Sequence, residues 1–278
     1  MSASQPADDN HRCYSDGDYF SFSTHQRRGM ALRTLTAAEL EQLQAAETLL
    51  QQAEKIKDSR STLAGLFTFG RRRLFLKRHN ARNFYHRLRR KFQTPRPLRN
   101  LAVTLRLNAI GIPAPQILLA MRTFRHSLPE QDYLITEALP SPLTAAEQFE
   151  LLWDRDAAAI DALAALAARI HAAGVFHGDL KLPNVICRMT GDQLCFGLFD
   201  FDGSQLYGKA LAAPERRLDL ARLAASWRVL ARQTGAEPEA VSVADCFAEA
   251  YRRHASLSLA GPELNARVTY LSERVRKH

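Results

Sequence analysis

Three features of the 278-residue chain predict an α+β fold of two unequal lobes, a small antiparallel sheet followed by a mostly helical half. Apolar runs of strand length alternate with turn residues between Ser59 and Thr136. A stretch rich in Ala and Leu, with helical period, spans Ala157 to Ala173. Between them Glu137-Ala138-Leu139-Pro140 reads as a linker. The division that follows is a loose tail over residues 1–18, where Ser, Asp, Asn and Gln dominate, a sheet lobe over 19–136 and a helical lobe over 137–278.

Each element has a local reason. Thr36 followed by Glu39 is a capping-box pattern, and Leu40, Leu43, Leu50 and Ile56 extend an apolar stripe, so one helix is expected over Thr36–Lys57. Ser59–Leu66 and Arg73–Lys77 read as strands around a turn at Phe69-Gly70-Arg71. Strand alternation places Phe75 and Lys77 on one face, with Lys77 directed inward. Gly111-Ile112-Pro113-Ala114-Pro115 ends a helix, and Gln116–Ala120 and Tyr133–Thr136 follow as paired strands. Ile160, Leu163, Leu166 and Ile170 give the later helix its buried face, with Gly174 as its stop. Val185–Arg188 and Leu194–Phe199, flanking the turn Met189–Asp192, form a hairpin.

That hairpin lies between His177-Gly178-Asp179-Leu180-Lys181-Leu182-Pro183-Asn184 and Asp200-Phe201-Asp202, and it brings Asn184 and Asp200 together. The pattern is that of a phosphoryl-transfer centre: an Asp takes the proton of the attacking hydroxyl, an Asn five positions on binds magnesium, and a second Asp completes the metal site. Asp179 has the spacing of the base, and Asn184 and Asp200 that of the metal ligands. Lys181 can neutralise charge on the migrating phosphoryl group. His177 reads as a brace for the loop, and Asp202 as either a further metal ligand or the cap of its turn. Asp219, on a helix starting near Arg217, can hold the catalytic loop from beneath, while Arg216, Arg217 and Arg222 face either a phosphorylated acceptor or solvent.

A nucleotide site is expected from the sheet lobe. Lys77 would contact the α and β phosphates. No G-x-G-x-x-G precedes it; Lys57-Asp58-Ser59-Arg60-Ser61 takes that position, and its amides, the Ser59 and Ser61 hydroxyls and the Arg60 guanidinium can hold phosphate oxygens. In the linker, the Glu137 carbonyl and the Leu139 amide are the groups available to adenine.

Charge narrows the partners. No acidic residue occurs between Asp58 and Glu130, a stretch of 71 residues that carries sixteen Lys or Arg, so the net charge of +9 is concentrated in one lobe. Such a field favours anionic partners, nucleotide or phospholipid headgroups among them. Phe84, Tyr85 and Phe92 are interleaved with basic residues, but with Leu88 they suit a helix packed by one side, which argues against nucleic acid. Cys13, Cys187, Cys195 and Cys246 show no metal-like pairing and read as thiols of a reducing compartment. No apolar run approaches the length of a membrane span, and a cytoplasmic protein is expected.

Leu76-Lys77-Arg78, the basic Arg87-Leu88-Arg89-Arg90, Gly111–Pro115, Thr136-Glu137, His177–Lys181, Asp200-Phe201-Asp202 and Arg217–Leu223 together resemble the bacterial lipopolysaccharide core kinases, which phosphorylate heptose or 3-deoxy-manno-octulosonic acid (Kdo) and share the protein-kinase-like fold. The resemblance spans about Lys57 to Ser226. It implies ATP as donor, Mg2+ as cofactor and an inner-core glycolipid hydroxyl as acceptor, met at the inner face of the inner membrane. One departure stands out. The helix after Lys77 should carry a Glu that pairs with it, and at the related position, eleven residues before Gly111, stands Asn100, whose amide oxygen could accept from Lys77. That leaves several readings open: an enzyme without the ion pair, a nucleotide-binding pseudokinase, a kinase of small alcohols such as aminoglycosides or choline, or a protein kinase.

Overall fold

A computed structural model describes residues 16–81, 84–140, 143–236 and 238–274. Of the tail expected over 1–18, residues 1–15 lie outside the described residues. Asp16–Asp18 form one turn of 3-10 helix, and the Asp18 carbonyl accepts the Arg33 amide at 2.8 Å.

The first lobe comprises β1 (Tyr19–Ser23), β2 (Arg27–Leu32), α1 (Ala37–Gln44), α2 (Ala46–Gln52), β3 (Glu54–Asp58), β4 (Thr62–Phe69), β5 (Arg72–Asn80), α3 (Phe84–Lys91), α4 (Arg96–Ala109), β6 (Ile117–Arg125) and β7 (Leu128–Glu137). Among the described residues the strands form one antiparallel sheet of seven, in the order β1-β2-β6-β7-β5-β4-β3. The run Ile117–Arg122 of β6 is buried at every position, as a central strand covered on both faces should be. Helix α4 packs across it; Pro97 sits in its first turn, and Gly111, at φ +67, ends it in the left-handed conformation that glycine supplies.

Two sequence expectations need correction here. The capping box at Thr36 forms as predicted, with the Glu39 amide donating to Thr36 Oγ1 at 3.2 Å and the Thr36 amide to the Glu39 carboxylate at 2.8 Å. The single helix over Thr36–Lys57, however, breaks at Ala45 and stops at Gln52, and Glu54–Asp58 becomes the edge strand β3. Leu43 and Leu50 are buried, whereas Ile56 is 57% exposed, because the β4 edge takes Lys55 and Lys57 into its ladder with a register shift at Ile56. The strands β1 and β2 had no counterpart in the sequence reading.

Helix α3 is inverted relative to ordinary amphipathic helices. Two of its three arginines face inward: Arg87 donates to the Pro129 and Arg125 carbonyls, and Arg90 joins Arg122 on the buried carboxylate of Asp132. Tyr85 and Leu88 face out, at 80% and 41% exposure, with Phe92 just beyond the helix at 82%.

The second lobe comprises α5 (Phe149–Trp153), α6 (Asp156–Ala172), β8 (Val175–Phe176), β9 (Val185–Thr190), β10 (Gln193–Leu198), β11 (Gln205–Leu206), α7 (Ala213–Gln233), α8 (Ala240–Ala255) and α9 (Pro262–Arg274). Its core is separate from that of the sheet lobe and is centred on Trp227, Phe247 and Tyr251, with Phe149 and Trp153 stacked against Trp227. The hairpin β9–β10 pairs Val185 with Leu198, and so sets Asn184 beside Phe199, whose amide donates to the Asn184 carbonyl at 3.2 Å. No described helix is long and apolar enough to cross a membrane.

Candidate active site

A cavity of about 320 Å³ separates the lobes. Its size is that of a small-molecule pocket. Ile56, Ala64, Leu134, Leu139 and Phe199 give it apolar walls, and Lys77, Asp200, Thr136 and Glu137 also line it. The predicted strand alternation holds, since Phe75 and Lys77 both reach the cavity. Ser59, Arg60 and Ser61 form the turn between β3 and β4 and are not among its lining residues; the Ser59 amide and hydroxyl both donate to the Thr62 carbonyl at 2.9 Å. The Glu137 amide donates to the Gln116 carbonyl, and Thr136 Oγ1 to the Glu137 carbonyl at 2.9 Å.

The loop after β8 is held from three sides. Asp219 of α7, fully buried, accepts the amides of His177 at 2.8 Å and Gly178 at 3.0 Å. Ser204 Oγ donates to the His177 carbonyl, and the Leu182 amide donates to Ser226 Oγ. His177 is a brace, as expected. Its Nε2 lies 3.2 Å from the Phe199 carbonyl and its Nδ1 3.3 Å from the Asp179 amide, so the neutral ring uses one nitrogen as donor and the other as acceptor. Burial holds its pKa below the ordinary histidine value, against the pull of Asp219. Gly178, at φ +79, is required twice over: a Cβ there would lie 2.4 Å from the Gly203 carbonyl oxygen, so the two loops meet backbone to backbone.

Asn184 Nδ2 donates to Asp179 Oδ2 at 3.0 Å and to the Asp179 carbonyl at 2.9 Å, which orients the carboxylate and leaves the Asn184 amide oxygen for other work. Lys181 Nζ lies 2.9 Å from the same Asp179 Oδ2. Asp200 adopts φ +60, uncommon for a residue with a side chain, and turns its carboxylate to Lys77.

Lys77 is buried, 2.7 Å from Asp200 Oδ1 and 2.6 Å from Asp202 Oδ2. Burial pulls its pKa down, but the carboxylates of Asp202 and Asp200 outweigh it, and the net direction is up. Burial likewise pushes the Asp202 carboxyl up, yet His79 and Lys77 hold it well below the usual carboxylate range. The expected bond from Lys77 to Asn100 does not form; Asn100 Nδ2 donates instead to Asp202 Oδ1 at 3.3 Å. The role of His79, 3.3 Å from the same oxygen, was missed, although it shares the strand face of Lys77 at period two. Arg216, Arg217 and Arg222 are all engaged inside the helical lobe: Arg216 donates to the Leu211 carbonyl and Tyr251, Arg217 to Glu263, and Arg222 to the Leu218 carbonyl.

Among the described residues no three His, Cys, Asp or Glu side chains are grouped to hold a metal by themselves. Asn184 and Asp200 offer the donor types, an amide oxygen and a carboxylate, of a site that holds magnesium together with substrate phosphates.

The fold and this cleft define a protein-kinase-like phosphotransferase. The model of the lipopolysaccharide kinase (Kdo/WaaP) family matches residues 39–245, and the chain belongs to that family and is a kinase. Among solved structures, WaaP in complex with acyl carrier protein is similar in fold at 17% identity and a TM-score of 0.57, covering 85% of this chain and 92% of that one. A glucosamine kinase is similar at 15% identity and a TM-score of 0.45, covering 90% and 81%. The Rio2 kinase of Chaetomium thermophilum is similar at 14% and 0.44, covering 94% and 81%. No curated protein sequence matches the chain.

Proposed function

We propose that the protein transfers the γ-phosphoryl group of ATP to a sugar hydroxyl, Kdo or heptose, of the lipopolysaccharide inner core. The observation that carries this reading is a chain of contacts: Asn184 Nδ2 donates to the Asp179 carboxylate, the Phe199 amide donates to the Asn184 carbonyl, and Asp200, the next residue, meets Lys77 in the wall of the cavity. Asp179 orients the acceptor hydroxyl and takes its proton, and Lys181 screens charge on the phosphoryl group in transit. Asn184 and Asp200 would hold Mg2+, which would supply positive charge against the mutual repulsion of the phosphates. Lys77 contacts the inner phosphates. Ser59, Arg60 and Ser61 close over them from the β3–β4 turn. The Glu137 carbonyl and Leu139 amide receive the adenine edge, beneath Ile56. In the division of labour that follows, residues 19–136 bind nucleotide and 137–278 carry acceptor and metal chemistry.

The assay is transfer of label from γ-labelled ATP to dephosphorylated inner-core glycolipid. Labelled glycolipid with the wild type and none with Asp179→Asn, at unchanged ATP affinity, is the expected result. Equal turnover by the variant would remove Asp179 as the base. Labelling of soluble aminosugars or choline in preference to glycolipid would move the protein to the small-alcohol kinases, and nucleotide binding without transfer to any acceptor would make it a pseudokinase.

The partner surface follows from α3. Tyr85, Leu88 and Phe92 project outward between the exposed Arg89 and Lys91, in a stretch without a single acidic residue. Apolar side chains flanked by cations suit an anionic lipid surface, into which aromatic rings dip while basic residues meet phosphates. The protein then works at the cytoplasmic membrane face, peripherally bound. Sedimentation with vesicles of anionic phospholipid should be lost on Tyr85→Ser/Phe92→Ser and reduced by salt; equal binding to zwitterionic vesicles, or by the double variant, would contradict this surface.

A further inference from the structure

In protein-kinase-like enzymes the phosphate-binding lysine is positioned by a Glu on the following helix, and that pair must be in place for turnover. Here two helices follow, α3 (Phe84–Lys91) and α4 (Arg96–Ala109), and neither sequence contains an acidic residue. Lys77 is nevertheless held, by carboxylates from the opposite side of the cleft. Of the two, Asp200 is the more exposed and is the residue read above as a metal ligand, and magnesium bound there would take up its charge. Asp202 is the more enclosed; its other oxygen accepts from Asn100 Nδ2 at 3.3 Å, and the buried His79 Nε2 lies at ion-pair distance, 3.3 Å, from that oxygen.

The polarity of the usual arrangement is therefore exchanged. A donor, Asn100, stands on the helix where an acceptor is usual, and the acceptor has moved to the turn that follows Asp200. The amide orientation is fixed by chemistry, since turning it over would bring the Asn100 oxygen against the Asp202 carboxylate. Without Asp202, metal binding at Asp200 would leave the buried Lys77 ammonium with no protein counter-charge to position it. We infer that Asp202 is the positioning carboxylate of Lys77, and that Asn100 and His79 hold Asp202 in place, so that this chain builds its lysine clamp from the metal-binding turn instead of from α4. The inference rests on the nucleotide-site reading above.

Three variants test it, each checked for folding by circular dichroism. Binding of ATP in EDTA, by titration calorimetry, should weaken at least tenfold in Asp202→Asn. Most of that loss should return in Asn100→Glu/Asp202→Asn, which moves the carboxylate back to the helix. Asp200→Asn should lose the magnesium-dependent part of ATP affinity and lose less of the metal-free affinity than Asp202→Asn does. Should Asp202→Asn keep its metal-free affinity and lose only the metal-dependent part, Asp202 is a metal ligand and the inference fails; absence of recovery in the double variant overturns it as well. A thermal-unfolding cycle over Lys77→Met and Asp202→Asn needs no nucleotide. Non-additive shifts in Tm are expected, and additive shifts would remove Asp202 as the holder of Lys77. Non-additivity in a wild-type protein that binds no ATP would keep the clamp and overturn the nucleotide reading alone.

Discussion

Asp219 accepts the main-chain amide of His177 at 2.8 Å from a helix 42 residues further along the chain, and with the Gly178 amide at 3.0 Å it uses both carboxylate oxygens on one turn of backbone. The loop that presents Asp179 is thus suspended from a buried charge. The carboxylate is met by those two amides and by Arg222 at 3.7 Å, with the neutral His171 ring 3.6 Å away.

Asp219→Ala removes two charge-assisted hydrogen bonds and leaves both amides buried. A loss of about 3 kcal/mol in urea-unfolding stability is expected. Because the loop carries Asp179 and not the nucleotide contacts, kcat should fall far more than the KM for ATP rises. A parallel rise in KM would contradict that role.

Asp132 is the hub that ties α3 to the sheet, with Arg90 at 2.5 Å and Arg122 at 2.7 Å on its fully buried carboxylate. Breaking one member of a buried ion triad strands the others, at about 3–5 kcal/mol. Asp132→Asn should raise amide exchange across α3 and the ends of β6 and β7 while leaving α6 to α9 protected. Uniform exchange throughout both lobes would show that Asp132 supports the whole fold instead.

Acid should destabilise the protein well before carboxylates titrate. His171 is fully buried against Tyr251 at 3.0 Å; burial holds its pKa below the ordinary value, with Asp219 only partly offsetting. His177 is shifted the same way. Below about pH 6.5 the unfolded chain binds protons that the folded chain refuses, so stability falls as pH falls, by up to about 1.4 kcal/mol per pH unit for each histidine. The depressed Asp132 and Asp202 carboxyls act only near and below about pH 4, where their unfolded forms titrate. Differential scanning from pH 7.5 to 5.5 should show a falling Tm, with a shallower slope in His171→Gln; a flat profile would contradict the assignment.

Much of the site was readable from the chain because its parts are close in sequence. Asp179 and Asn184 are five residues apart, and a hairpin whose β-branched and apolar runs flank Gly191 delivers Asp200. The outer strands β1 and β2 escaped notice because Tyr19–Ser23 alternates aromatic and serine residues without a turn signal strong enough to bound it. Residues Thr36–Lys57 satisfy helical period throughout, and only the tertiary offer of the β4 edge turns their last part into a strand. The clamp on Lys77 was least legible. Its partner lies more than 120 residues away, and no local rule tells whether Asn100 will accept from the lysine or donate to an aspartate that reaches it first.

The most direct test is mass spectrometry of lipopolysaccharide from a strain lacking this gene, complemented in turn by the wild type and by Asp179→Asn. The deletion strain should lose one phosphate, 80 mass units by the composition of the group at about that value, from a single inner-core Kdo or heptose. The wild type should restore it and Asp179→Asn should not. An inner core that keeps every phosphate in the deletion strain would contradict the proposed acceptor.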